Sequence, residues 1–234
     1  MMIEILLEHP WFLVINKPTG VLTQAVPGIE SVQTLLVKQL KERDPNGPVP
    51  FVGMPHRLDR VTSGTMVVAR NQRALRRLSD QFAARTVRKL YHAVIPFMPE
   101  RFGRWTDWIR KIPNEAKAEI VTPETESAKE AILAFRVIGD SEMTLHGVRI
   151  RVSTVEIELE TGRMHQIRLQ FATHGFPILG DSLYGSPFRW MEAEPGERES
   201  PIALHALSIE FRNPQNAEHV KVVVQPPQAR CSEP

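Results

Sequence analysis

"HRLDRVTSGTMVVAR", residues 56–70, decides how the rest of the chain is read. His56 and Arg57 stand close to a single carboxylate, Asp59. Arg60, Thr62 and Ser63 follow, and Gly64 closes the polar run. A turn needs Gly and Ser, but it does not need His-Arg-Leu-Asp. The apolar half, TMVVAR, has the length and β-branched content of a buried strand. Asn71 then reads as the N-cap of a helix, "QRALRRLSDQFAAR", with Leu75, Leu78 and Phe82 facing in and Arg73, Arg76, Arg77 and Arg85 facing out. The stretch is therefore a loop holding an acid, then a core strand, then an amphipathic helix.

Working outward, "IEILLE" and "WFLVINKP" read as short strands on either side of His9-Pro10. "SVQTLLVKQLKER" has Val32, Leu35, Leu36 and Leu40 at helical spacing, with Ser31 as its cap. "RKLYHAVIP", "AILAFRVIG" and "VRIRVSTVEIELE" read as strands, and no element is assigned between residues 99 and 130. In the last of these strands the apolar alternation changes phase, from Val148, Ile150 and Val152 to Val155, Ile157 and Leu159. That slip predicts a bulge near Ser153-Thr154. "RMHQIRLQFATHG" reads as a helix stopped by Gly175, and "ALHALSIEF" and "HVKVVVQPP" as two closing strands. Many strands with few helices predict one α+β domain, a mostly antiparallel sheet flanked by helices.

The chain has 234 residues and a formal net charge of only +2, with a pI near 8.8. A mild basic excess permits a nucleic-acid partner without demanding one. The single cysteine, Cys231, cannot form an internal disulfide, which suits a reducing compartment. Glu4 and Glu8 near the start argue against a secretory leader, and no apolar run reaches membrane-spanning length. A cytoplasmic protein is expected. The histidines are scattered, with no HExxH and no paired cysteines, so no metal is expected. GxxxxGK[ST], GxGxxG and GxSxG are absent as well, which removes the usual phosphate loops and the hydrolase elbow.

Each polar group also has a plain structural reading. Asp59 before Thr-Ser-Gly fits an Asx-turn. The arginine face of residues 73–85 fits a solvated surface. "ETGRMHQIR" puts Arg163, His165, Gln166 and Arg168 at a helix start, which fits either ordinary surface charge or an anion site. Tyr91, one of two tyrosines, fits a core aromatic.

Taken together, the motifs resemble one family. "HRLDRVTSG" followed by an apolar strand resembles the signature of RluA-like RNA pseudouridine synthases. "NKPTG" (16–20), "RKLYHAV" (88–94), "ETGRMHQIRLQFATHGFPILGDSLYG" (160–185) and "IALHALSIEF" (202–211) resemble further family segments in the same order. The resemblance runs from about residue 3 to 226. Gln170 and Thr23-Gln24 depart from the common pattern, which bears on substrate choice more than on reaction type. Many relatives carry an N-terminal S4-type domain. None is expected here, so residues 1–234 are read as one catalytic domain.

The resemblance implies isomerisation of a uridine in rRNA or tRNA, in a central RNA-binding cleft, with base flipping and no cofactor. It implies Asp59 as the catalytic carboxylate, as nucleophile or base, and Tyr91 as the residue stacking on the base. Arg168 would be the cation that keeps Asp59 ionised, with Arg163 as second choice. Arg57 would fill the space of the flipped base. Lys17, His56, Arg163, His165 and Gln166 complete the RNA-binding set, in a protein expected to act as a monomer away from membranes. The competing reading is an RNA-binding protein that keeps the fold without catalysis.

Overall fold

The structure is a computed structural model that describes residues 1–191 and 200–227; Cys231 lies outside them. In chain order the elements are β1 (Glu4–Glu8), β2 (Phe12–Lys17), α1 (Val32–Arg43), β3 (Ser63–Ala69), α2 (Gln72–Ala83), β4 (Arg88–Pro96), β5 (Phe102–Lys111), β6 (Ala118–Val121), β7 (Lys129–Leu145), β8 (Val148–Leu159), α3 (Gln166–Thr173), a 3-10 turn at Ser182–Tyr184, β9 (Leu204–Arg212) and β10 (His219–Val223). The fold is α+β, as expected. Its backbone falls into two compact units, Met1–Lys89 with His205–Pro226, and Leu90–Leu204.

In the first unit the strand order is β1-β2-β3-β9, with β10 on β9. All pairings are antiparallel except β3 with β9, which is parallel. Phe12, Val14, Val67, Ala69, Ile209 and Phe211 from three strands bury Ala74 and Leu78 of α2 and Val87. Leu75 and Phe82 only flank this core. Both helix starts are capped as the sequence predicts. Ser31 accepts from the Thr34 amide in a reciprocal capping box, and Asn71 accepts from the Ala74 amide.

β3 runs so close to β9 that its second residue must be glycine. Gly64 has φ +118°, and a Cβ there would lie 2.6 Å from the Ala206 nitrogen and closer still to its carbonyl oxygen. Ser63 and Thr65 tie the same junction. The Ser63 hydroxyl meets His205 Nδ1 at 2.8 Å, and Thr65 Oγ1 donates to the Ala206 carbonyl at 3.1 Å. His205 Nε2 meets the Val224 carbonyl at 3.0 Å. A carbonyl only accepts, so Nε2 carries the proton and Nδ1 accepts from Ser63.

In the second unit the order is β4-β8-β7-β5-β6, antiparallel throughout. β4 has the predicted bounds. β5 and β6 fill the stretch to which the sequence assigned no element. They are apolar on one face, where Ile109 and Ala118 pack with Ala131 against Leu169 of α3. On the other face cross-strand pairs replace apolar contacts, such as Arg110 with Glu119 and Arg104 with Glu160. The predicted bulge exists, but on the neighbouring strand. β7 slips between Val137 and Gly139, opposite Val155 and Thr154. In β8 both Val152 and Ser153 are buried, which is why its apolar pattern changes faces.

Gly64→Ala should be among the most damaging small substitutions in the chain. It combines a left-handed backbone with a backbone clash, so a loss of roughly 3 kcal/mol or more is expected, read from denaturant unfolding.

Candidate functional site

The loop that carries Asp59 is held from below by the segment "NKPTG". Lys17 ends β2 and is fully buried. Its ammonium donates to the carbonyls of Pro18 at 2.7 Å, Arg60 at 3.1 Å and Thr62 at 2.8 Å. Three N–H groups meet three acceptors, so the charged form is the one the geometry fits. Burial pushes its pKa down to about 7, with the Asp59 carboxylate opposing that shift and Arg60 adding to it. Around this point the loop is closed by Thr19 Oγ1 to the Val61 carbonyl, the Gly20 amide to the Arg60 carbonyl, and Arg60 Nε back to the Gly20 carbonyl. Thr23 Oγ1 donates to the Leu58 carbonyl at 2.8 Å and accepts from the Leu58 amide at 3.2 Å. The Thr62 amide closes a turn onto the Asp59 carbonyl at 3.1 Å. Asp59 therefore does sit in a turn, on a backbone gripped on both sides, with its residue partly exposed.

The two residues before Leu58 behave differently. His56 Nε2 accepts the Val67 amide at 3.1 Å, and its ring stacks on Phe82 at 4.4 Å. Burial, reinforced by the charge of Lys89, pushes its pKa down to about 3. It is a neutral anchor between loop, strand and helix, and it brings no positive charge to RNA. Arg57 is exposed. Lys17, expected among the phosphate-binding residues, spends its ammonium on the chain itself. On α2, Arg77 donates to the Pro214 carbonyl and lies over Trp11, while Arg73 and Arg76 are exposed.

In the second unit the "TGRMHQIR" segment folds around the side chain of Gln166. That residue is buried. Its Oε1 accepts from Thr161 Oγ1 at 2.7 Å and from the Arg163 amide at 3.0 Å, and its Nε2 donates to the Ile132 carbonyl at 3.0 Å. Arg163 Nε donates to the Glu130 carbonyl at 2.8 Å. His165 takes a left-handed conformation, φ 52°, to start α3. These contacts use groups that the sequence offered as an anion site.

Arg168 is buried and gripped by a residue to which the sequence assigned no role. Asp181 accepts from Arg168 Nε at 2.7 Å and from Nη2 at 2.8 Å, a two-point pair with both side chains almost inaccessible. Such a fork fixes the guanidinium plane, which a lysine cannot reproduce. Tyr184 completes the group. Its hydroxyl lies 2.9 Å from His165 Nδ1 and accepts from the Ala118 amide at 3.0 Å, and its ring lies 5.2 Å from the Arg168 guanidinium carbon. The signals for both were present, in "GDSLYG" and in the rarity of tyrosine. Tyr91 is buried on β4, opposite Ile157 of β8.

The structure thus groups Lys17, His56, Arg57 and Asp59 in one unit, and Arg163, His165, Gln166 and Arg168 with Asp181 and Tyr184 in the other. Comparison with known proteins places these segments. Residues 11–173 match the family model described as RNA pseudouridylate synthase. The chain is 34% identical to ribosomal large subunit pseudouridine synthase D of Xylella fastidiosa, over 98% of this chain and 67% of that protein. It is 31% identical to tRNA pseudouridine synthase C of Salmonella typhimurium, over 91% of this chain and 81% of that protein. The solved structure of human RNA pseudouridylate synthase domain containing 1 aligns with a TM-score of 0.72 at 27% identity, covering 96% of this chain and 84% of that one. Fold and motifs together define a protein of the RNA-isomerase class. The chain belongs to the RNA pseudouridylate synthase family.

The neutrality of His56 can be measured. Its folded pKa lies below its unfolded value, so the unfolded chain takes up a proton that the folded chain refuses. Its contribution is present above about pH 6.5 and is lost as pH falls toward 3. His56→Gln should remove this share. Its unfolding free energy should fall less steeply than the parent's between pH 6 and 4, by up to about 1.4 kcal/mol per pH unit. Parallel pH profiles would show that His56 is protonated in the fold.

Proposed function

We propose that the protein converts a specific uridine already inside ribosomal or transfer RNA to pseudouridine, and that Asp59 carries the reaction. The observation behind this is the grip on the Asp59 loop. Lys17, Thr19, Gly20 and Thr23 all contribute to fixing the backbone of four residues, Leu58, Arg60, Val61 and Thr62, around one carboxylate. An ordinary turn needs no buried lysine beneath it.

The chemistry conserves atoms. The bond from uracil N1 to ribose C1′ breaks, the base turns, and C5 bonds to C1′. The C5 proton leaves and N1 takes one up. A carboxylate serves either as the nucleophile at C1′ or as a base at the ribose, and in both roles it must be ionised. The Asp59 carboxylate favours the charge on Lys17. Tyr91 stacks on the target base, and Arg168, aligned by Asp181, supplies fixed positive charge to the same reaction. A base within a stack is out of reach, so the nucleotide must flip. Arg57, exposed beside Asp59, takes the vacated space. The protein acts as a monomer in the cytoplasm, consistent with its single cysteine.

Asp59→Asn keeps size and most hydrogen bonds while removing the charge. Tritium release from RNA carrying uridine labelled at C5 should fall by at least about a thousandfold. Affinity for the same RNA at fixed salt should stay equal or rise, because a carboxylate near phosphates is repulsive. Release at the parental rate would reduce Asp59 to a turn residue. A parent that labels no cellular RNA would leave an RNA-binding protein with this fold.

A further inference from the structure

Helix α2 carries charge that its own stability does not call for. Over Gln72–Ala83 it holds three arginines, Arg73, Arg76 and Arg77, against one carboxylate, Asp80. That excess equals the formal net charge of the whole chain, +2. Its placement is unfavourable for a helix. Arg73 follows the Asn71 cap by two residues, no acid stands in the first turn, and no base stands in the last. A cation near a helix start opposes the macrodipole. Arg73 is also three and four residues from Arg76 and Arg77, so like charges neighbour one another along the surface.

All three arginines are exposed, and among the described residues none of them forms an ion pair. Arg70, just before the helix, shows the contrast by pairing with Glu8 at 3.2 Å. Arg77 is held in place without a carboxylate. Its Nη1 donates to the Pro214 carbonyl at 2.6 Å, and its guanidinium carbon lies 5.6 Å from the centre of the Trp11 ring. A guanidinium keeps most of its N–H groups after one such bond. Gln81, one turn further on, bonds both backbone groups of Arg212, so the end of β9 brings another exposed arginine beside the helix. All of these residues belong to the first unit.

The apolar side of α2 is spent on the core. Ala74 and Leu78 are buried there, and Leu75 and Phe82 pack beside them. None of the large apolar residues of the helix is exposed. A helix that lies in a membrane surface needs a free apolar face, and α2 offers guanidinium groups alone. Their planar forks fit phosphate oxygens.

We propose that Arg73, Arg76 and Arg77 form a docking surface for the phosphate backbone of the RNA substrate, one that responds to charge and not to base sequence. This rests on the proposed action on RNA. Such contacts set the position of an RNA without selecting its bases. They also explain why the helix keeps arginines that repel one another and its own start. The surface costs stability in the free protein, and bound phosphates offset that cost.

The test uses the full chain with Asp59→Asn as the background, so that turnover plays no part. The probe is a uridine-containing stem-loop RNA labelled at its 5′ end, titrated at several salt concentrations beside a stem-loop of the same length and unrelated sequence. Arg73→Gln combined with Arg76→Gln should melt at the same temperature as the background or higher. It should bind both RNAs more weakly and by the same factor, with the slope of log K against log salt reduced by about 1.4–1.8, for two contacts of about 0.7–0.9 each. Arg73→Lys combined with Arg76→Lys should keep the slope. A glutamine double variant that keeps the full slope, melts lower than the background or loses affinity for one RNA only overturns the proposal. So does binding to phosphatidylserine vesicles that the glutamine variant loses while its RNA slope is unchanged. Tritium release by the parent reads the enzyme separately. Release with an unchanged slope leaves the isomerase and removes this surface, whereas a reduced slope without release leaves the surface and removes the isomerase.

Discussion

A buried ammonium with three carbonyl acceptors governs the first unit. Lys17 is fully withdrawn from water at the end of β2, and the carbonyls it satisfies belong to Pro18, Arg60 and Thr62. Two of them follow Asp59 within the same loop. Charged hydrogen bonds are worth about 1.5–3 kcal/mol each, against a desolvation cost of several kcal/mol. The arrangement therefore contributes little net stability. What it fixes is position, because the ammonium is offset only while all three carbonyls stay in place. The Asp59 carboxylate adds the long-range part of the same interaction. The lysine is a support for the loop that carries the acid.

The second unit uses the same device with different chemistry. Gln166 satisfies three backbone and hydroxyl groups with one amide. Asp181 locks Arg168 by two parallel bonds, and Tyr184 ties His165 to the β6 backbone. A motif rich in donors looks like an anion site when written as a string. Folded, most of those donors are spent on the protein. In the first unit Arg57, Arg73 and Arg76 stay at the surface.

Much of the fold was legible because its signals are local. Ser31 and Asn71 cap their helices through contacts three residues away, and the apolar run 88–96 defines β4 at both ends. β5 and β6 were hidden because their outer faces carry Arg, Trp and Glu, whose stabilisation comes from partners on other strands. The bulge was placed one strand away for a similar reason. The phase change is written in β8, while the extra residue sits in β7. For the site, the sequence supplied the residue types and the family segments. It could not say which way a side chain points. Lys17, His56 and Gln166 were therefore read as facing RNA when each is turned into the backbone, and Asp181 was passed over because its partner lies thirteen residues earlier.

The dependence of the Asp59 loop on Lys17 is open to direct measurement by amide hydrogen exchange on Lys17→Met against the parent. The amides to follow are Gly20, bonded to the Arg60 carbonyl, and Thr62, bonded to the Asp59 carbonyl. Val14 and Val68 in the paired strands β2 and β3 serve as internal controls. Loss of the three-carbonyl support should speed exchange at Gly20 and Thr62 by about tenfold or more, equivalent to about 1.4 kcal/mol of local stability, while the two valines keep their protection. Unchanged exchange at Gly20 and Thr62 would mean that the loop holds its shape without the buried ammonium, and that Lys17 is not what positions Asp59.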